Sequence, residues 1–489
     1  MMKRILSKAI YPLLAGVCLR MVMALKFPAG AGDTVIYEQL ATNWVKHGKY
    51  AMDIGGQAVP VDLRMPGYPA FLAIIYVLTG RSGEDARLAV MLAQVVVDLL
   101  GCLLIGALAA VLVSLYSRQA NRGRAFLAGL WLAALCLFTA NYVAVPLTEA
   151  WATLLTAVAL VMLVMLAAEV RGEGREWPRR EWMSGKGYWR WVALAGFVVG
   201  LGTLFRPEAP LLLGTSLVLL GLWMWWRGET KRFVKTAALM VCACAVPLAP
   251  WTVRNAVSLH EFQPLAPKDT MLPGELNPTG FMAWERTWLF RVRDCYLVPW
   301  KLNDEEIHLE DIPREAFDTA DERERVAAVL ETYNDDLTLT KDEDDVFAQL
   351  ARERTARHPL RTYLWIPLRR AVRIWFTPRI ELLPVSGHVF PLGYMSEEDP
   401  VDQRATITIF FLNILYVALG VWGGWRLWKC RRSRAAVVLL VFYMVARTVF
   451  LTTLETPEPR YVLECFPALL AMGAAVFVGM KEGISGARQ

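Results

Sequence analysis

Histidine is scarce in this chain, with 5 in 489 residues. His47, His260, His308, His358 and His388 stand at no metal-binding spacing, and His388, in Ser386-Gly387-His388-Val389-Phe390, reads as structural. There are 8 cysteines and no Cys-x-x-Cys pair. Cys18, Cys102, Cys136, Cys242 and Cys244 lie inside apolar runs, where a thiol serves as a small buried side chain. Cys295 alone sits well inside a large loop, so no disulfide framework is expected. Gly-rich and aromatic-basic patterns are missing, and nothing points to nucleic acid as a partner. No internal repeat or low-complexity segment stands out, and the two halves lack the similarity that many transporters carry.

What fills the chain instead is hydrocarbon. Hydrophobic residues make up 55% of it and the mean hydropathy is +0.35. Soluble domains are about 45–50% apolar and typically lack apolar runs of 20, so the sequence reads as an integral membrane protein. The net charge of +6 matters less than its placement, because Lys and Arg of short loops mark the cytoplasmic side. Lys3, Arg4 and Lys8 precede the apolar stretch Ile10–Leu25, which holds Arg20. Without a convincing small-residue cleavage site, this reads as an uncleaved first helix with a cytoplasmic N-terminus.

Gly67–Gly80 sets the topology. It is apolar but only about 14 residues long, where a span needs about 20. If it does not cross, the second helix is about Arg87–Tyr116. The basic loops at Arg118–Arg124, Arg171–Arg190, Arg227–Lys235 and Lys429–Arg434 then all lie inside, as the positive-inside rule requires. The first outer loop therefore runs from about 27 to 86 and contains an interfacial helix. Further helices are expected at about 125–140, 149–168 and 233–251. Arg206-Pro207-Glu208 splits Trp189–Trp226 into two short ones, because proline cannot continue the ladder and the charges would not face lipid. Helices at 407–428, 435–454 and 461–480 complete about ten, with both termini cytoplasmic. The expected class is an all-α polytopic membrane bundle with outer interfacial helices.

Three parts follow: an N-terminal membrane module over 1–255, a mainly helical extracytoplasmic region over 256–404, and C-terminal membrane helices over 405–489. In the middle part, Thr319…Glu322 and Thr340…Glu343 are capping-box patterns, and the second helix stops at His358-Pro359. Leu360–Phe376 places arginines among Leu, Trp, Ile and Phe. That pattern suits a helix in the headgroup plane and equally one half-buried on a soluble core.

Under this topology Asp33, Glu38, Arg64, Glu149, Arg206, Glu208, Arg254, Glu458 and Arg460 all gather at the outer face. An arginine binds phosphate bidentately, and a carboxylate takes a proton from an attacking hydroxyl. Together they suit transfer of a group from a lipid phosphate. Each also has a plainer reading. Asp33 can cap a helix beginning near Thr34, Glu149 can cap or line a turn, and Arg64 can snorkel. Arg206 and Glu208 can pair with each other, and Arg254 and Arg460 can meet headgroups. Asp98, inside the second helix, suits a structural hydrogen bond with no evident partner.

In order and sidedness these residues resemble the GT-C glycosyltransferases, in particular the bacterial branch akin to protein O-mannosyltransferases and the aminoarabinose transferase of lipid A. The marks are Asp33-x-x-x-Tyr37 followed by Gly48-x-Tyr50, then Arg64-Met65-Pro66-Gly67-Tyr68-Pro69 and Pro146-Leu147-Thr148-Glu149. Arg206-Pro207-Glu208, Pro250-Trp251-x-x-Arg254-Asn255 and Glu458-Pro459-Arg460-Tyr461 follow. The resemblance implies a polyprenyl-phosphate-sugar donor, an extracytoplasmic acceptor, a bacterial inner-membrane location and inversion by single displacement. It implies Asp33 as the general base or a metal-adjacent carboxylate, with Glu149 in the second acidic position. Arg64, Arg206 and Arg254 would bind the donor phosphate, and Tyr37, Glu38, Tyr68, Glu208, Glu458 and Arg460 the substrates. Many relatives carry two adjacent acids in the first loop, whereas here Gly32 precedes Asp33, which leaves a divalent metal cofactor an open question. Two other classes compete: a transporter or flippase for a lipid-linked sugar, and a noncatalytic subunit of an envelope-polysaccharide complex.

Overall fold

The computed structural model describes residues 2–117, 121–172, 185–267, 271, 275–387, 389 and 399–479. His388 lies outside them, as do the loop arginines Arg118, Arg175, Arg179 and Arg180. Among the described residues seven helices are long and apolar enough to cross a membrane, or eight if the bent pair Arg122–Ala134 and Leu137–Ala144 is one span. The two remaining expected helices are Lys186–Thr203 and Pro210–Trp226, with 18 and 17 residues. Their break falls around Arg206-Pro207, as the proline predicts. Gly67–Thr79 has 13 residues, about 20 Å at 1.5 Å per residue, too short to cross alone.

The chain divides into two compact units, one of 1–267, 378–444 and 463–489, the other of 268–377 and 445–462. The first is helical around a continuous apolar core. It also contains a hairpin that the all-α expectation did not include, Ala51–Ile54 paired antiparallel with Gln57–Pro60, Ile54 opposite Gln57. Gly55 and Gly56 form its two-residue turn, both at positive φ, which glycine adopts without a Cβ clash.

The second unit packs around Phe281, Trp284, Trp288, Tyr333 and Phe347. Its helices begin where side chains satisfy free backbone donors. The Thr319 hydroxyl accepts from the Glu322 N–H at 3.2 Å, and Thr340 with Glu343 closes a full capping box. The Asp344 carboxylate accepts from the N–H groups of Gly280 at 3.0 Å and Phe281 at 2.8 Å. Lys341–Arg357 ends on His358.

Candidate active site

The site grows from the helix Gly32–His47, whose N-cap is Ala31. Asp33 is therefore inside the first turn rather than at the cap, where the helix dipole favours its charge. The local cap is Thr34, whose hydroxyl accepts from the Ala31 N–H at 3.1 Å and donates to the Pro146 carbonyl at 3.3 Å. The Ala29 N–H donates to the Ala144 carbonyl at 3.1 Å. These bonds tie the start of the helix to the turn that leads into Glu149.

The return toward the bundle is held as closely. The Gly67 N–H donates to the Leu204 carbonyl at 2.7 Å. A Cβ at Gly67 would lie 2.5 Å from that oxygen, so only glycine permits the approach. This contact sets the Arg64 segment beside the break that carries Arg206.

Two carboxylate–arginine pairs result. Asp33 Oδ1 lies 2.7 Å from Arg64 Nη2, with the side chains 22% and 30% exposed. Glu149 Oε1 lies 2.6 Å from Arg206 Nη2, with exposures of 2% and 13%. Glu208 and Glu464 stand farther from Arg206, at 3.8 Å and 3.9 Å, so Glu149 and not Glu208 is its close partner. Tyr37 lies within electrostatic reach of Asp33, Arg64, Arg206 and Glu149. Burial, then the Asp33 charge, pushes its phenol well above the usual range, so it is a neutral hydrogen-bonding group at neutral pH.

The other proposed residues of this unit brace the loop. Glu38 accepts both guanidinium arms of Arg87, at 2.7 Å and 2.9 Å. Tyr68 is fully buried, edge-on to Tyr37, and its hydroxyl donates to Gln94 Oε1 at 2.8 Å. Gln94 in turn donates to the carbonyls of Val143 and Val145, at 3.1 Å and 2.9 Å. Arg254 donates to the carbonyls of Val61, at 2.8 Å, and Tyr50, and lies over the rings of Tyr50 and Trp251. Tyr50 itself donates to the Arg64 carbonyl at 2.7 Å. Glu458 and Arg460 belong to the second unit. There Arg460 Nε and the Tyr461 hydroxyl each meet the Glu458 carboxylate at 2.5 Å.

Sequence reading missed Arg87, Gln94 and Glu464. The last two sit inside apolar runs, and a polar residue there is itself a signal. It also left Asp98 without a partner. Arg20 Nε lies 2.5 Å from Asp98 Oδ2, at side-chain exposures of 0% and 6%.

Among the described residues no three His, Cys, Asp or Glu side chains gather as metal ligands. Asp33 and Glu149 each face a guanidinium.

No protein-family model matches the chain, and no curated protein does. Among solved structures it is similar to the Archaeoglobus fulgidus oligosaccharyltransferase carrying a tethered acceptor peptide, at 13% identity and a TM-score of 0.49 over 95% of this chain. It is also similar to ArnT from Cupriavidus metallidurans bound to undecaprenyl phosphate, at 14% identity and a TM-score of 0.38, over 95% of this chain and 77% of that one. The chain spans about half the length of the oligosaccharyltransferase, 49% of it being covered.

Proposed function

We propose that this chain is a membrane glycosyltransferase of the GT-C type. It moves a sugar from a polyprenyl-phosphate donor to an acceptor on the extracytoplasmic side of a bacterial inner membrane. The observation that carries the reading is the pairing of Asp33 with Arg64 and of Glu149 with Arg206.

Asp33 is the general base, being the more exposed of the two carboxylates. It takes the proton of the acceptor hydroxyl as that oxygen attacks the anomeric carbon. The bond from that carbon to the phosphate oxygen breaks with its electron pair, and polyprenyl phosphate leaves. One displacement inverts the configuration. Arg64 meets the charge on the departing phosphate, the main electrostatic contribution. Because Arg64 holds Asp33 in the resting protein, a phosphate that draws the guanidinium toward itself also frees the base. Glu149 fixes Arg206 for a second contact to the donor. Glu38, Tyr68, Glu208 and Arg254 act through position, holding the loop and the break that present these groups.

Purified protein is offered a panel of radiolabelled polyprenyl-phosphate sugars. Wild type consumes one donor, Asp33→Asn folds but barely turns over, and Arg64→Ala binds donor poorly. Equal turnover by wild type and Asp33→Asn removes Asp33 from the chemistry. Movement of donor across proteoliposomes without transfer replaces the enzyme by a transporter.

A further inference from the structure

We propose that the second unit carries a groove for the phosphate headgroup of an anionic phospholipid, formed by Arg357, Arg361, Arg369 and Trp365. The lipid chains lie on the neighbouring apolar face of the same helical segment. The groove has a volume of about 780 Å³ and is walled by residues of 315–318 and 357–369 together with Thr287. All of these belong to the second unit, apart from the carboxylate–arginine site described above.

Two sets of residues at four-residue steps run along this segment. Arg357, Arg361, Trp365 and Arg369 line the groove. Leu360, Leu364, Leu368, Val372 and Phe376 are all exposed. Past the break at His358, side chains four apart share a helix face, so Arg361, Trp365 and Arg369 lie beside the row of exposed apolar side chains, and Arg357 joins them in the groove from the end of the preceding helix. One π-turn, Arg361–Trp365, sits at the groove, and such turns concentrate at functional sites.

The helix Ile366–Trp375 buries one guanidinium beside two isoleucines. Ile366, Arg370 and Ile374 are the residues turned inward. Arg370 is held there by the carbonyls of Leu289 and Leu454, each at 2.7 Å. A guanidinium is buried while five large apolar side chains face outward. An exposed apolar strip of this kind marks an interaction surface, and a neighbouring row of arginines is what an interfacial helix presents to headgroups.

Charge selects the occupant. The carboxylates of the floor are already committed. Asp318 accepts both arms of Arg361, at 2.5 Å and 2.8 Å, and Glu322 accepts Arg354 at 2.6 Å and Arg357 at 2.7 Å. Glu315 is met by Arg291 at 2.9 Å. Among the residues that wall the groove, Arg357, Arg361 and Arg369 stand against Glu315 and Asp318, and the exposed Arg369 rests over the Phe290 ring. The surplus is positive, as an acidic headgroup requires. Exposed Tyr363 and Trp365 suit the level where headgroup meets acyl chain.

The test uses full-length protein in liposomes with a photoreactive phosphatidylglycerol and no sugar donor, so it is independent of the transfer reading. Cross-linked peptides are identified by mass spectrometry, with the membrane helices as internal standard. Labelling is expected at 357–376, falling about fivefold for each of Arg357→Gln and Arg369→Gln while the standard is unchanged. Leu364→Asn with Leu368→Asn lowers it too, through the chains. No label at 357–376, or a photoreactive phosphatidylcholine labelling it equally well, overturns the proposal. So does full displacement by millimolar inorganic phosphate, which would reduce the groove to a site for small anions.

Discussion

Asp33–Arg64 and Asp98–Arg20 are the same two functional groups at nearly the same separation, 2.7 Å and 2.5 Å. Their surroundings make them different devices. Arg20 is fully buried, and every arm is committed. Besides Asp98 it donates to the Ala134 carbonyl at 2.7 Å, to those of Gly16 and Ala133 at 3.2 Å each, and to Cys102 Sγ at 3.1 Å. Ala133 and Ala134 end the helix Arg122–Ala134 just before its 53° bend, where carbonyls lose their helical partners. The guanidinium gives the Ala134 carbonyl a donor, joins the Cys136 N–H at the Ala133 carbonyl, and pins three segments together. Asp33 and Arg64 keep about a quarter of their surface in water. A pair so placed opens at small cost, which a base and an anion receptor need and a pin must avoid.

The largest expected effects test that division directly. Asp33→Asn lowers turnover by about 10²–10⁴ and leaves the unfolding midpoint near that of wild type. Asp98→Asn strands a buried guanidinium and costs about 3–5 kcal/mol of stability, read as loss of folded protein in detergent. A well-folded Asp98→Asn protein with Asp33-like loss of turnover would erase the distinction. Arg64→Ala comes next, raising the KM for donor about 10–100-fold, the worth of a charge-assisted hydrogen bond, and Arg64→Lys recovers only part of it. An unchanged donor KM would move the phosphate elsewhere. Gly67→Ala is expected to cost about 1–3 kcal/mol by overpacking against the Leu204 carbonyl, with turnover falling as the two arginines separate. Full activity in that variant would show that the approach of the two segments is dispensable.

How much of this was legible follows from the range of each interaction. Long apolar runs and the break at Arg206-Pro207 are local, and the helices they predict are present. The caps at Thr319 and Thr340 are equally local, although only Thr340 closes the full box, the Glu322 carboxylate accepting from the Asp318 N–H instead. The outer-face residues were found because charge beside a membrane is rare, so Asp33, Arg64, Glu149 and Arg206 stood out one by one. Their pairing was not legible: Asp33 to Arg64 spans 31 residues and Glu149 to Arg206 spans 57, with no periodicity to connect them. Arg20 and Asp98, 78 apart, are likewise joined by nothing in the sequence pattern. Gln94 stands out as a polar residue in an apolar run, but the hydrogen bonds it carries between three segments come only from the fold. The Gly55-Gly56 turn is a local signal, outweighed by the apolar runs that dominate the pattern.

A third group of pairs lies between these extremes and gives the smallest effect. Asp318 and Glu322 face Arg354, Arg357 and Arg361 in the second unit, with Arg354 fully buried and Arg357 39% exposed. Burial works to raise both carboxyls, but hydrogen bonds and charge from the arginines outweigh it and leave each below its ordinary range. A depressed folded pKa means that the unfolded chain takes up protons first. The stabilisation is then complete above the unfolded values, about 4, and is lost as pH falls through the folded ones. The protection of amides over 320–357, taken relative to the intrinsic exchange rate at each pH, should therefore fall as pH drops from about 5 to 3, and Arg357→Gln should shift that fall upward in pH by weakening the pull on Glu322. Protection that is flat over this interval would place these pairs with Arg64 and Asp33, as contacts made and broken at little cost, rather than with the buried pin at Arg20.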